Sequence, residues 1–269
     1  MKEQTSIPKH KITRAAKLMG SGAKIGASYV KYATKKALTG DDDKSAFHAA
    51  TAKESYKTFS NLKGAPLKLA QMLSMDRNMI PPQYADEFSQ AQYSAPPLSY
   101  PLVVKTFQQE MGKAPNEIFD TFSKNAVAGA SIGQVHKATI GDEEFAVKIQ
   151  YPGVAKSLNS DLAIVKPLAM KLFNLDAKSL DPYLNEIKAR LLEETDYVLE
   201  RETSESLIAQ SAHLPYTNFP SYRDDLSSGR ILTMSWIEGE PIDRYAEREQ
   251  DQEKKDKIAQ AIWDFYHHQ

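Results

Sequence analysis

Two short segments decide the fold of this chain: AVAGASIGQVHKA, from Ala126 to Ala138, and FAVKI at residues 145–149. The first is a loop of small residues between two predicted strands, and the second is a strand that carries Lys148 among apolar residues. Small side chains let backbone N–H groups approach an anion such as a phosphate. A lysine in an apolar strand needs a carboxylate or a ligand beside it. Together the segments favour a phosphate-binding hairpin, whereas a tight turn and a solvent-facing lysine are the simpler explanations of each segment alone.

Hydrophobic periodicity around these segments predicts an all-helical first part followed by a β-rich part with inserted helices. Strands are predicted within 123–150, at 218–222 and at 230–236. Gly and Pro residues mark most of the boundaries between elements. Helices are predicted over 12–37, 41–62, from Gly64 to about 75, from 81 to before Pro96, and over 101–112, 115–121, 154–173, 180–212 and 253–267.

Composition excludes several classes of protein. With 269 residues, 41% hydrophobic and 26% charged, the chain has enough apolar side chains to bury a core, so it is not a disordered protein. No uncharged apolar run reaches the length of a membrane-spanning helix, and the first residues lack the apolar region of a secretory signal. Cysteine is absent, which excludes disulfides, thiolate zinc sites and cysteine nucleophiles. We therefore expect a cytoplasmic location.

The net charge of −1 conceals a basic N-terminal segment. Residues 1–36 carry a net charge of +8, whereas the remaining residues carry −9. The lysines of residues 11–36 lie opposite an apolar helix face, which is typical of helices that bind an anionic membrane surface. Packing of that face on the other helices is the alternative, and no motif indicates nucleic-acid binding. The apolar face comprises Ile12, Ala16, Met19, Ala23, Gly26, Val30, Ala33 and Ala37.

Charged residues elsewhere suggest partners for Lys148. Glu193, Asp196 and Glu200 lie on neighbouring turns of one predicted helix, together with Tyr197. Such a cluster suggests a bound cation or a lysine partner, although a solvated acidic face is the simpler explanation. Lys68 and Gln71, on an otherwise apolar helix, could likewise reach into a site or form only a polar stripe. The order of these features matches the N-terminal lobe of a protein-kinase-like fold: an α+β fold with an antiparallel sheet and inserted helices, preceded by a helical extension.

From about residue 45 onward the chain resembles the UbiB (AarF/ADCK) family of atypical protein-kinase-like proteins. KLAQ at 68–71 is similar to the family's K-x-G-Q motif, and ETD at 194–196 is similar to its E-x-D motif. Residues 126–134 resemble the family's alanine-rich phosphate loop, AVKIQYPG at 146–153 its lysine strand, and LTMSWIEG at 232–239 its hinge. Ala70 in place of the motif's glycine, and Gly129 within the alanine loop, are departures from the pattern.

The resemblance implies roles for individual residues. Lys148 would be the nucleotide lysine and Glu200 its partner on a helix, so the two are predicted to form a catalytic ion pair. Lys68, Gln71, Glu194 and Asp196 would line the pocket beneath the extension. The residues predicted to contact the nucleotide are Ala126, Ala128, Gly129, Ala130, Ser131, Val135, Ala146, Lys148, Met234, Ser235, Trp236 and Ile237.

The charge pattern and the resemblance together predict four parts of the chain. They are a basic N-terminal helix (1–40), a helical extension with the K-x-G-Q-like motif (41–122), a kinase-like N-lobe (123–240) and the start of a C-lobe (241–269). The family's catalytic loop, H-x-D-x-x-x-x-N, and its Asp-Phe-Gly metal motif are absent from this sequence. We therefore expect a partial chain that is inactive alone and holds none of the metal ligands; those for Mg²⁺ would lie in the missing lobe.

The function implied is that of an atypical kinase or ATPase that binds ATP and supports ubiquinone or isoprenoid-lipid metabolism at the inner face of a membrane. Its substrate would be a small molecule or a lipid rather than a protein, because the extension covers the position of a protein substrate. The alternative is a pseudokinase-like scaffold that binds a membrane or a partner protein without catalysis.

Overall fold

The computed structural model describes residues 11–75, 80–89, 97–130, 132–173 and 176–268. Within these described ranges, five α-helices precede the sheet and five follow its fourth strand. The first group is α1 (Lys11–Thr39), α2 (Ser45–Leu62), α3 (Ala65–Met75), α4 (Pro82–Ser89) and α5 (Tyr100–Met111). The second group is α6 (Val154–Phe173), α7 (Ala177–Glu194), α8 (Tyr197–Ser211), α9 (Ile242–Arg248) and α10 (Gln252–His268).

The sheet is antiparallel and contains the described strands β1 (Thr121–Phe122), β2 (Ala128–Gly129), β3 (Gly133–Ile140), β4 (Glu143–Gln150) and β5 (Ile231–Ser235). Its order is β1-β3-β4-β5, and β2 also pairs with β3. Gly141 begins the turn between β3 and β4 with a φ of 56°, a conformation that glycine adopts without a steric penalty. This arrangement confirms the predicted α+β fold with an antiparallel sheet and inserted helices.

The two faces of the sheet differ in how completely they are packed. Phe145, Val147, Ile149 and Ile231 point to one face and form a core with α5. Alternate residues along the strands point to the other face, because side chains alternate along a strand. On that second face Ile132 and Leu232 join a larger core built with the helices, whereas Val135, Ala146, Lys148 and Met234 are only half-buried. The second face is therefore where the sheet leaves room for a cleft.

Three predicted elements are wrong in detail. Residues 115–121 form a short 3₁₀ turn (Pro115–Glu117) and the start of β1 rather than a helix. Residues 218–222 contribute only one bridge, from Tyr222 to Met234. The helix predicted over 180–212 is broken between Glu194 and Tyr197, because the Asp196 carboxylate accepts a hydrogen bond from the Leu199 N–H and caps a new helix. Helix α9 has no counterpart among the predicted elements.

Helix α1 is attached to the fold by a face other than the predicted apolar one. Arg14 and Asp161 of α6 form a buried ion pair with Nε–Oδ1 and Nη2–Oδ2 distances of 2.5 and 2.6 Å. Leu18, Ser21 and Ile25 continue the same buried stripe. This stripe follows helical spacing, so one face of α1 is packed and the opposite face is not. Packing against the helices is therefore made by a mixed stripe rather than by the alanine and glycine face.

The predicted apolar face of α1 lies largely in solvent. Met19 and Val30 are 75% and 63% exposed, and Ala23, Gly26 and Ala37 are also exposed. The alanine and glycine face would bury little apolar area on packing. The stripe that contains Leu18 and Ile25 buries more apolar area, so packing that stripe is more favourable. Among the described residues, every helix is too short or too polar to cross a bilayer.

Candidate functional site

A cleft of about 690 Å³ opens between the second face of the sheet and helices α7 and α8. Lys148 of β4 and Glu200 of α8 lie on its walls, and Ala130 lies at the tip of the β2–β3 hairpin above them. Glu194, the last residue of α7, closes one side. Glu193 lies on the same wall, so the cleft brings together five of the residues singled out from sequence, and they come from four separate segments.

Lys148 and Glu200 form the predicted ion pair. The Lys148 Nζ lies 2.6 Å from Oε1 and 2.8 Å from Oε2 of Glu200. The side chains are 20% and 31% exposed, so the pair borders water rather than lying in the core. Such a partly exposed pair contributes little to stability compared with a buried one. Lys148 and Glu200 are therefore accessible charged groups on the cleft wall rather than part of the core.

Two tyrosine rings each lie under a lysine ammonium group. The ring of Tyr197 lies under Lys148, with the ammonium 4.8 Å from its centroid. The ring of Tyr151 lies under the ammonium of Lys63 at 4.9 Å. Lys63 is fully buried at the end of α2, and burial lowers its pKa to about 7. Lys63 is not identifiable from the sequence, because a lysine at a predicted helix end carries no signal of burial.

The small-residue segment forms a tight hairpin. The Ala130 N–H donates to the Gly133 carbonyl, and the Val127 N–H donates to the Val135 carbonyl. Ala128 pairs with Val135 in the register, whereas Gly129 pairs with Gln134. Ser131 lies outside the described residues. The hairpin thus accounts for the small residues, and its tip at Ala130 still borders the cleft beside Lys148.

Among the predicted nucleotide residues, Val135, Ala146, Lys148 and Met234 lie on the second face of the sheet. Val135, Lys148 and Leu232 are direct cross-strand partners, and so share a face; Ala146 and Met234 are likewise paired with each other. Ala146 and Met234 stand two residues along their strands from Lys148 and Leu232, so they point the same way. A row of half-buried side chains therefore continues the face beyond the cleft.

The segment after β5 is partly engaged within the sheet. Ser235 points to the opposite face, where its Oγ accepts a hydrogen bond from the Ser221 N–H. The N–H groups of Ser235 and Trp236 donate to the carbonyls of Ser221 and Glu144. Ile237 is exposed and follows immediately. Within the predicted hinge, Ile237 is therefore better placed than the two residues before it to offer its backbone to a ligand.

The K-x-G-Q-like and E-x-D-like segments meet beside the cleft. Lys68 and Glu194 form an ion pair between α3 and the end of α7. Asp196 is exposed, and its carboxylate is engaged as the cap of α8 rather than directed into the cleft. Gln71 is half-buried on α3 and does not border the cleft. Of these four residues, the structure thus places only Glu194 directly on the cleft wall.

Other cleft residues escaped the sequence analysis. Thr203 and Ser204 follow Glu200 by one turn of α8 and line the same cleft. Their spacing of three and four residues from Glu200 could have identified them, because such residues share a helix face. Ile132 and Leu199 supply its apolar lining. No pattern in the sequence marks these two, because an apolar residue at a strand or helix start is ordinary.

A buried polar chain holds β3 behind the hairpin. The Gln134 Oε1 accepts from the Leu98 N–H at 2.6 Å, and its Nε2 lies 2.8 Å from the His136 Nε2. The His136 Nδ1 lies 2.7 Å from the Ser123 carbonyl, so Nδ1 carries the proton and Nε2 accepts. Burial lowers the pKa of His136. These hydrogen bonds connect the segment before α5 to β3, the second strand of the small-residue hairpin.

Comparison with known proteins shows the family to which the chain is similar. The ABC1 atypical kinase-like domain matches residues 90–269. The chain is 29% identical over 278 residues to the probable serine/threonine-protein kinase abkA of Dictyostelium discoideum, covering 95% of this chain and 49% of that protein. It is 30% identical over 266 residues to the mitochondrial atypical kinase COQ8B of Danio rerio, covering 95% and 42%. Its identity to the mitochondrial atypical kinase coq-8 of Caenorhabditis elegans is 33% over 204 residues, covering 75% and 27%.

The chain spans half or less of the length of these relatives. A solved complex of Rv3197 with erythromycin from Mycobacterium tuberculosis is similar over 82% of this chain and 52% of that chain, with 24% identity and a TM-score of 0.44.

Proposed function

The chain belongs to the ABC1 atypical kinase-like family, and on that premise we propose that it forms the ATP-binding half of an atypical kinase or ATPase. The observation that carries the proposal is the Lys148–Glu200 pair, which borders a cleft beneath a small-residue hairpin. A kinase-like site needs a lysine for the phosphates and a helix glutamate to hold that lysine. The contact between Lys148 and Glu200 supports this assignment.

The residues present fit a nucleotide. The Lys148 ammonium group has three N–H donors. Two of them can serve the carboxylate oxygens of Glu200, which leaves one donor for a phosphate oxygen. The half-buried row of Val135, Ala146 and Met234 offers an apolar surface for a base. The exposed segment from Ile237 would supply backbone hydrogen bonds. Bound Mg²⁺ would neutralise phosphate charge, and its ligands remain assigned to the family's C-terminal lobe.

A small molecule or lipid is the proposed phosphoacceptor, in support of ubiquinone or isoprenoid-lipid metabolism. Two relatives named COQ8B and coq-8 are described as mitochondrial atypical kinases, which supports a related role. The Lys68–Glu194 pair joins the helical extension to a residue of the cleft wall. An extension held beside the cleft would favour a compact acceptor over a folded protein.

Nucleotide binding is tested by titrating the full chain with a fluorescent ATP analogue. Lys148→Met should weaken binding about ten- to hundredfold, because a hydrogen bond to a charged group contributes about 1.5–3 kcal/mol. Lys166→Met is the matched control, since Lys166 of α6 pairs with Asp181 at 2.5 Å and neither residue lines the cleft. Equal affinity in both variants would contradict the nucleotide site.

The scaffold alternative makes a different prediction for the same titration. A pseudokinase-like scaffold would bind a partner or a membrane without a nucleotide, so the unaltered chain would show no saturable binding of the analogue. Saturable binding that depends on Lys148 supports the kinase or ATPase proposal.

Membrane association through residues 11–36 is a second part of the proposal. Met19, Val30 and Leu38 are 75%, 63% and 81% exposed on α1, beside exposed lysines such as Lys24 and Lys31. Exposed apolar side chains flanked by lysines are typical of helices that lie in an anionic membrane surface. This arrangement is consistent with a peripheral location.

Sedimentation with vesicles containing anionic lipid tests this second part. Met19→Ser with Val30→Ser should reduce binding at low salt and leave the folded structure intact, because both side chains already lie in solvent. Leu207→Ser is the control, because Leu207 is a half-buried residue of α8 and lies outside α1. Unchanged binding by the double variant would show that α1 does not enter the membrane surface.

A further inference from the structure

Tyr197 contacts three elements of the cleft at once. It is the first residue of α8 and is 1% exposed. Its ring lies 4.8 Å from the Lys148 ammonium of β4. Its hydroxyl lies against the hairpin, because a methyl group placed on Gly133 would come within 2.8 Å of that oxygen. Glu200 follows one turn later on the same helix, so this side chain links the hairpin, the lysine strand and the glutamate.

The ring restricts the directions available to the lysine. Two contacts of the ammonium are made with Oε1 and Oε2 of Glu200. The electron-rich face of an aromatic ring attracts a cation, and here it covers another flank of the same group. Lys148 also borders the cleft, so its remaining donor faces that space. Without the ring, the lysine would be held by the carboxylate alone.

The hydroxyl of Tyr197 is not needed for this arrangement. It finds no hydrogen-bond partner among the described residues. Burial raises the pKa of Tyr197 well above its ordinary value, so the hydroxyl stays neutral near the ammonium. The contact to Lys148 is therefore made by the ring, and phenylalanine would retain it.

We propose that Tyr197 is a positioning residue that holds the Lys148 ammonium against Glu200 and directs it toward a phosphate group in the cleft. This inference rests on the proposed nucleotide-binding function. It assigns to a buried aromatic residue a part of the site that charge patterns alone do not reveal.

The test measures the position of Lys148 separately from nucleotide binding. Acetylation of Lys148 by dilute acetic anhydride is followed by peptide mass spectrometry on the full chain, and ATP-analogue affinity is measured in parallel. Tyr197→Met fills much of the same space with a flexible side chain and no ring. Tyr197→Phe keeps the ring. Tyr84→Met alters another fully buried tyrosine, on α4, and controls for loss of packing.

Tyr197→Met should increase the acetylation rate of Lys148 and weaken analogue binding, each about three- to thirtyfold, as expected for loss of a cation–π contact. Tyr197→Phe should stay within about twofold of the unaltered protein in both measurements. Tyr84→Met should lower the unfolding midpoint without changing either measurement. If Tyr197→Met does not fold, Tyr197→Leu takes its place, with the same expected results.

The inference is overturned if the folded Met or Leu variant leaves Lys148 acetylation unchanged, or if Tyr197→Phe reproduces its effects. It is also overturned if neither ring-free variant folds and Tyr84→Met raises the acetylation rate of Lys148 as much as mild denaturant does in the unaltered protein. Loss of packing alone would then explain the exposure of Lys148. If the unaltered protein does not bind the analogue but acetylation follows the expected order, the positioning role stands and the nucleotide proposal fails.

Discussion

Two ion pairs in this molecule use similar chemistry in opposite surroundings. Arg14 and Asp161 join α1 to α6 with side chains only 3% and 1% exposed. Lys148 and Glu200 join β4 to α8 with side chains 20% and 31% exposed. In the first pair, a bidentate contact replaces hydration of the two charges. Arg14 also donates a hydrogen bond to the Leu62 carbonyl. The second pair keeps one side open to the cleft.

The difference shows how burial separates a packing contact from a site. A buried charge cannot change partners without a large loss of free energy, so the first pair holds α1 in one position. A partly hydrated charge can accept a new anionic partner at much lower cost. We therefore interpret the Arg14–Asp161 pair as a fixed attachment and the Lys148–Glu200 pair as a ligand-binding element.

The largest expected effect comes from breaking the buried pair. Asp161→Ala should lower the free energy of unfolding by about 3–5 kcal/mol, because it leaves the Arg14 guanidinium buried without its carboxylate. Urea denaturation followed by circular dichroism measures this loss. The double variant Arg14→Met, Asp161→Leu should lose much less, since neither side chain then carries a charge. A loss below about 1 kcal/mol for the single variant would show that the apolar contacts of α1 hold the helix by themselves.

The next largest effect comes from the backbone of the cleft rather than from its charges. Gly133→Ala places a methyl group 2.6 Å from the Ile149 carbonyl oxygen, so β3 must move away from β4. Overpacking of this kind costs about 1–3 kcal/mol, measurable in the same urea experiment. Gly239→Ala is the matched control, because nothing lies within 4 Å of a methyl group there. Similar stability of the two variants would mean that the hairpin adjusts freely.

A smaller effect is expected from breaking the cleft pair. Lys148→Met should change the free energy of unfolding by no more than about 1 kcal/mol, because water already reaches both partners. Its stability is measured by urea denaturation beside Asp161→Ala. A loss as large as that of Asp161→Ala would remove the distinction between the two pairs and assign Lys148 to the core.

The smallest expected effect is a pH dependence through His136. Burial lowers its folded pKa below the ordinary value of 6.5, so its contribution to stability is fully present above pH 6.5. That contribution is lost as the pH falls from 6.5 through the folded pKa, because the unfolded chain takes up the proton first. A protonated Nε2 would also face the Gln134 amide donors.

Urea midpoints between pH 7.5 and 5 measure this loss. His136→Asn keeps a donor for the Ser123 carbonyl and removes the titrating group, so its midpoint should fall less on acidification. A histidine-dependent gain in stability at low pH would contradict the assignment of a neutral, Nδ1-protonated ring.

Local patterns allowed much of the fold to be predicted. The alternation of residues 133–150 and the Gly141-Asp142 turn identify a β-hairpin, because side-chain period and turn chemistry are properties of neighbouring residues. The order of the small-residue loop, Lys148 and Glu200 indicated a kinase-like lobe, and the match to the ABC1 domain confirms the family. The break at Asp196 was missed, since Asp is also tolerated within helices and only its capping bond identifies the boundary.

The sequence by itself determined the α+β class, the family and the pairing of Lys148 with Glu200. Only the tertiary structure decided which face of α1 is buried, because Arg14 reaches Asp161 across 147 residues of chain. It alone placed Tyr197 beneath Lys148 and against Gly133, and it alone buried Lys63 beside Tyr151. Such contacts depend on how distant elements pack, and that packing is a property of the whole chain rather than of a residue's neighbours in sequence.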